Sequence, residues 1–171
     1  MEYIEGKAGR ESGCIFCAAK DRPHSATDLI LYRDATLAVL MNRFPYANGH
    51  LLVAPARHVA DLCDLSAGEN AAIAAMLTRC TTILRKHLKP DGFNIGLNLG
   101  EVAGAGLASH LHWHIVPRWH GDHNYMTILA EVRTIPEHIE KTFEKLVPDF
   151  RNREGGKKKS RLTLNRSTTR S

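Results

Sequence analysis

The stretch "SHLHWHIVPRW" (109–119) places histidines at 110, 112 and 114, with Leu111, Trp113 and Ile115 between them. A period of two belongs to a strand, whose successive side chains point to opposite faces of the sheet. One face of this strand then carries three imidazoles and the other a run of large apolar groups. That commits the chain to a sheet packed on one side, with a row of titratable, metal-binding and nucleophilic rings on the other. Core packing explains only the odd positions.

Four more apolar stretches read as strands: "LILY" (29–32), "TLAVLM" (36–41), "HLLVAPA" (50–56) and "FNIGLNLG" (93–100). The short "RDA" between the first two suits a hairpin. Between the third and fourth lies the clearest helix. Ser66 and Glu69 form an S-x-x-E capping box, and Ile73, Met76, Leu77, Cys80, Ile83, Leu84 and Leu88 follow at helical spacing until Pro90. A second helix is expected from Thr134, with Glu137 repeating the box and Pro136 in the first turn. Its stripe is Ile139, Phe143, Leu146 and Val147, and Pro148 is expected to end it. The order of elements predicts an α+β domain: a mainly antiparallel five-stranded sheet, one long helix and one shorter helix.

At 171 residues the chain is long enough to bury a core as one domain, expected over 1–150. No apolar run approaches the ~20 residues that cross a bilayer, which argues against a membrane partner. "MEYIEGKAGRESG" lacks the basic-then-apolar order of a secretory signal, so a cytoplasmic location is expected. The net charge of +5 is unevenly placed. Eight of the 23 Lys and Arg, but one of the 18 Asp and Glu, fall in 151–171, so that stretch carries +7 and the rest −2. Polar and poor in large apolar groups, 151–171 reads as a disordered basic tail, either a solvated appendage or an arm for phosphates or nucleic acid.

Two constellations carry chemistry. Cys14 and Cys17 form a C-x-x-C, which serves as one edge of a tetrahedral zinc site or as a redox pair. A redox helix wants a preceding strand, and "KAGRESG" supplies none. Zinc needs two further ligands, for which the candidates are His58 and one histidine of the triad. Cys80 falls on an apolar helix face as buried filler, and Cys63 has no assigned role. The histidine row has three readings: a metal centre, a solvated strand face, or a nucleophile with its supporting rings. Imidazole, with an ordinary pKa near ~6.5, is available at neutral pH to attack phosphorus and form a covalent phosphoramidate. Upstream, "NLGEVAGAGLASH" sets Gly100, Gly104 and Gly106 before the row, where backbone N–H groups can approach an anion, with Asn98 and Ser109 as neutral donors.

These blocks together resemble the histidine triad (HIT) superfamily of nucleotidyl transferases and hydrolases. "CIFC", "MNRFPYANGHLLVAPARHV", "NLGEVAGAG" and "HLHWHIV…PRWHGDHNYM" occur in the order that superfamily uses, spanning roughly residues 14 to 147. The last block most resembles the bacterial dinucleoside polyphosphate phosphorylases, also called ATP adenylyltransferases. The resemblance implies that His112 attacks the α-phosphate and carries the nucleotidyl group, while His114 hydrogen-bonds the phosphate or leaving group. It places the purine pocket near Ile15 and Phe16, the ribose at Asn42, and the phosphates at Asn98, at the loop of Gly104, Ala105, Gly106 and Leu107, and at Ser109. It implies a structural zinc held by Cys14, Cys17, His58 and His110, Mg2+ accompanying the substrate, and a homodimer.

The implied activity is cleavage of a substrate such as diadenosine tetraphosphate with inorganic phosphate as acceptor, giving ADP and ATP. One departure bears on this. Many hydrolases of the superfamily carry a G-Q-[ST] loop, whereas this chain has "GAGLAS", with Gly106 at the glutamine's place, which weakens a simple hydrolase reading. His120 and His123 are expected at the surface, a phosphate or metal contact remaining open. The competing expectations are a nucleotide hydrolase or phosphoramidase using water, a metallohydrolase built on the histidine row, and a nucleotide- or nucleic-acid-binding adaptor without turnover.

Overall fold

The computed structural model describes residues 13–19, 25–122 and 137–151. Five strands, β1 (Ile30–Arg33), β2 (Leu37–Met41), β3 (Leu51–Pro55), β4 (Gly92–Leu97) and β5 (Trp113–Arg118), form one sheet in the order β1-β2-β3-β5-β4. Every neighbouring pair is antiparallel. The helices are the single-turn α1 (Ile15–Ala18), the long α2 (Ala67–Leu88) and α3 (Ile139–Arg151). This is the expected α+β architecture.

The two faces of the sheet are used differently. Alternate residues Leu37, Val39 and Met41 of β2, and Leu51 and Val53 of β3, enter the main core with Ile115 of β5. Against them pack Ile73, Met76, Cys80, Ile83 and Leu84 of α2, and Phe143, Leu146 and Phe150 of α3. The residues between, Ala38, Leu40, Leu52 and Ala54, face the other way and gather around Phe16 of α1. Because helices cover one face and the N-terminal turn covers part of the other, β2 and β3 are buried at every position.

The long helix obeys its sequence. Ser66 accepts from the Glu69 N–H, the Glu69 carboxylate accepts in return, and Lys89 closes the helix in the left-handed region (φ 49°), just before Pro90. The short helix does not stop where expected. Pro148 lies inside α3, which continues to Arg151. The lost N–H is offset by contacts beyond it: Phe150 is 1 % exposed in the core, and Arg79 of α2 donates to the carbonyls of both Asp149 and Phe150. Lys86 and His87 also close on the Asp149 carboxylate. Thr134 of the capping box expected with Glu137, and Pro136 of its first turn, lie outside the described residues, as do His123 and 152–171.

Candidate active site

The histidine row lies on the sheet face that the helices leave open. Regular pairing of β5 starts at Trp113 rather than at His110, but the alternation holds through the extended approach. Leu111 and Ile115 enter the main core, and Trp113 packs against it. His114 pairs across to Leu52, on the Phe16 side of the sheet. The rings then run in file. His110 and His112 each lie 5.0 Å from the Phe16 ring, and His112 lies 5.0 Å from His114.

A fourth histidine extends the file, and the sequence reading missed it. His50, fully buried at the start of β3, brings Nε2 to 2.9 Å from His114 Nδ1. Its other nitrogen, Nδ1, accepts the backbone N–H of Tyr46 (3.2 Å) and lies 3.3 Å from the Asn42 amide nitrogen. Gly49 brings the loop in tightly. Its φ is +74°, and a Cβ there would run into Leu88 of α2. Parity with Leu52 and Ala54 was the available sequence signal, since residues 50, 52 and 54 share the face of the triad.

These contacts fix which nitrogens carry protons. A backbone N–H can only donate, so His50 Nδ1 carries the lone pair and Nε2–H donates to His114 Nδ1. The proton of neutral His114 must then sit on Nε2. His112 Nδ1 lies 2.8 Å from the His110 carbonyl oxygen, which can only accept, so the neutral ring keeps a lone pair on Nε2. The result is a nucleophilic nitrogen next to a ring with a proton to donate.

Both supporting rings are held neutral. Burial, followed by the neighbouring His114 and His112, pushes His50 down to about 3. Burial and then His112 push His114 down to about 4. Between pH 6.5 and these values the unfolded chain binds protons that the folded chain refuses. Stability from this pair is therefore fully present above pH 6.5 and is lost as pH falls toward 3–4, with a limiting slope of about 1.4 kcal/mol per pH unit for each ring. His114 is partly exposed and contributes less than that limit. Urea denaturation at pH 7 and pH 5 should show the wild type losing about 2 kcal/mol more than His50→Gln over that interval. Acid effects on the cysteine cluster are common to both proteins. Equal losses would show that His50 is not held neutral.

At the other end of the file stand Cys14, Cys17, His58 and His110, whose ligand atoms all lie within 4.8 Å of one another. His110 Nδ1 is 3.1 Å from Cys14 Sγ, 3.6 Å from Cys17 Sγ and 3.2 Å from His58 Nδ1. One ring nitrogen cannot hydrogen-bond three groups at once. His110 Nε2 instead donates to the Pro55 carbonyl (2.9 Å), leaving Nδ1 with a lone pair aimed into the cluster. Separations of this size are close to the edges of a tetrahedron with bonds of about 2.0–2.3 Å. The four donors can hold a tetrahedral metal ion.

The remaining candidates are placed as follows. Phe16 is buried against the histidine row and Ile15 is half exposed. The Asn42 side chain joins His50 to its loop, its Oδ1 accepting from the Phe44 N–H. Asn98 donates to the Gly104 carbonyl, and Gly104 is left-handed (φ 85°), so the two shape the loop before the triad. Leu107 packs on the Phe16 cluster. A Cβ at Gly106 would meet nothing, and Ala105 and Ser109 lie along the same loop. His120 is 93 % exposed and pairs with Asp91, away from the file. Cys80 is filler as expected, burial raising its thiol to about 12. Cys63 donates to the Asp61 carboxylate, which holds the thiol up and protonated.

Comparison with known proteins identifies the family and the fold. The HIT domain family model matches residues 24–121, the segment that holds all five strands and the whole file of histidines. The chain belongs to the HIT domain family. Within that family it is 39% identical over 122 residues to the AP-4-A phosphorylase of Mycobacterium tuberculosis, covering 71% of this chain and 63% of that protein. The HIT chain thus spans less than two thirds of the length of that relative. It is also 32% identical over 93 residues to the asymmetrical bis(5'-nucleosyl)-tetraphosphatase of Schizosaccharomyces pombe, covering 54% of this chain and 50% of that one. A Zn-bound histidine triad family protein from Mycobacterium smegmatis superposes with a TM-score of 0.62 at 30% identity, over 81% of this HIT chain and 93% of that structure. Among the described residues no helix is long and apolar enough to cross a membrane.

Proposed function

We propose that this chain is a nucleotidyltransferase that cleaves dinucleoside polyphosphates through a nucleotidyl-His112 intermediate, with inorganic phosphate as acceptor. The observation that carries this is the opposed tautomers of neighbouring rings, a lone pair on His112 Nε2 beside a proton on His114 Nε2. His112 Nε2 attacks the α-phosphorus, a P–N bond forms, and the P–O bond to the rest of the substrate breaks. His114 Nε2–H hydrogen-bonds the departing oxygen, which leaves as part of ATP when the substrate is diadenosine tetraphosphate. A phosphate oxygen then attacks the same phosphorus, breaks the P–N bond, and yields ADP with His112 regenerated. Positioning and charge stabilisation supply most of the acceleration in such transfers.

The supporting residues follow from their places. We assign the base to the apolar surface of half-exposed Ile15, with the buried Phe16 ring behind it beside the nucleophile. We assign the ribose to Asn42, and the phosphates to the loop of Asn98 and Gly104 to Leu107 with Ser109, which carries backbone and side-chain donors. Mg2+ would accompany the polyphosphate as its counterion. In the Cys14, Cys17, His58 and His110 cluster we place zinc, for which two thiolates and two imidazole nitrogens are a fitting set. When bound, zinc would supply structure: it ties α1, and so Phe16, to His110, whose carbonyl orients His112.

The test is product analysis with diadenosine tetraphosphate, with and without inorganic phosphate. ADP plus ATP appearing only with phosphate is the expected result. AMP plus ATP without phosphate would make water the acceptor and the chain a hydrolase, the activity named for the Schizosaccharomyces pombe relative.

A further inference from the structure

Thr142 is fully buried, on the face of α3 that Ile139, Phe143 and Leu146 turn to the core. A polar group in such a place needs hydrogen-bond partners, and those of Thr142 lead away from the helix. Its hydroxyl oxygen lies 2.9 Å from Asn48 Oδ1 and 2.8 Å from Glu137 Oε2. Lys145, then Thr142 and, more weakly, the Asn48 amide hold the Glu137 carboxyl below the usual carboxylate range. The Asn48 side chain is thereby seated, 94 positions away in sequence, on a buried hydroxyl and a carboxylate where α3 begins.

Asn48 belongs to the loop that joins β2 to β3, and that loop decides how His50 is protonated. The ends of the loop are fixed by the hairpin, the Asn42 N–H donating to the His50 carbonyl (2.9 Å). The His50 ring takes its proton pattern from inside the loop, where the Tyr46 N–H meets Nδ1. The bonds around that N–H stay within the loop: the His50 N–H reaches the Ala47 carbonyl, and the Phe44 N–H reaches Asn42 Oδ1. Asn48 reaches out of it. Its amide ties the loop to α3, two residues before the ring whose Nε2–H sets His114.

We infer that Asn48, seated on Thr142, is a positioning residue for nucleotidyl transfer: it anchors the loop whose Tyr46 N–H places the proton on His50, and through His50 the proton that His114 offers the leaving group. This inference rests on the nucleotidyl-transfer reading of His112 and His114. It extends the support of the site to α3, which lies beyond residues 24–121 of the family match.

Two readouts test it: nitrogen NMR of the histidine rings at pH 7, which shows where each proton sits, and turnover of diadenosine tetraphosphate with phosphate. Asn48→Ala removes the anchor and leaves the Thr142 hydroxyl its Glu137 partner, so no buried group is orphaned. The wild type should show His50 and His114 each protonated on Nε2 alone. Asn48→Ala should show both tautomers, with kcat down about tenfold to 100-fold, the scale of a displaced catalytic group, and KM unchanged. Thr142→Val should do the same, Thr142→Ser should restore both readouts, and the Asn48→Ala, Thr142→Val pair should be no worse than either alone. Single tautomers in Asn48→Ala, or a wild-type kcat, would make the contact a structural one and overturn the inference, whatever the melting temperature. A wild type with the expected tautomers and no turnover would overturn the transfer reading first, and this inference with it.

Discussion

His112→Ala should lower turnover of diadenosine tetraphosphate by about 10⁴-fold or more, the scale on which enzymes lose activity when a covalent nucleophile is removed. The loss should fall on kcat, since the Ile15 surface and the glycine loop remain to bind substrate. Fold is expected to survive, because the His112 ring makes one hydrogen bond, to its own chain two residues back, and the sheet around it is held by Leu111 and Ile115. Brief incubation of the wild type with substrate labelled at the α-phosphate should trap label on the protein through a P–N bond, stable to alkali and lost in acid, and the variant should trap none. Turnover within tenfold of wild type would remove His112 as nucleophile.

The second large effect is expected at the other end of the histidine file. Purified protein should carry one zinc per chain, and Cys14→Ala should carry none. A metal present at 1,000 times its dissociation constant contributes about 4 kcal/mol to the folded state. For a chain of this size that corresponds to a fall in Tm of roughly 8–16 °C. The loss should also reach the chemistry. Cys14 and Cys17 bracket Phe16, and His110 both enters the cluster and gives its carbonyl to His112. The two variants should therefore be told apart by metal analysis and melting: His112→Ala keeps zinc and Tm, and Cys14→Ala loses both. A Cys14→Ala protein that retained its zinc, or melted with the wild type, would refute the assigned ligand set.

Much of this site is written locally. The H-x-H-x-H period alone puts three imidazoles on one side of the alternating stretch that leads into β5, and the S-x-x-E box alone starts α2 at the right residue. Pro148 is an instance of the opposite kind. Read locally it ends a helix, yet Arg79, 70 positions away in sequence from the Asp149 carbonyl it meets, supplies donors to the carbonyls beyond it and the core takes Phe150. Local propensity is worth only about 3 kcal/mol at an interior proline, and burial of one large aromatic with satisfied carbonyls is of the same size.

His50 makes the same point for chemistry. In "NGHLLVAPAR" it is one polar residue at the mouth of an apolar strand, and its parity with Leu52 and Ala54 says which face it takes but not which ring it meets. It acquires a role only because β3 and β5 are neighbours in the sheet, which brings His50 to His114 across 64 positions of sequence.

By itself the sequence determined the alternation that sets the triad to one side of the sheet, the long helix, the α+β order of elements, and the two sets of residues able to do chemistry, C-x-x-C and the histidine row. Those follow from side-chain period and capping, which act over a few residues. Only the tertiary structure decided which ring nitrogens hold protons, that a fourth histidine sets the third, and that one cluster of thiols and imidazoles abuts the candidate nucleophile. A proton's place on an imidazole depends on the partner of its other nitrogen, and those partners are brought together by strand order, which no local pattern encodes.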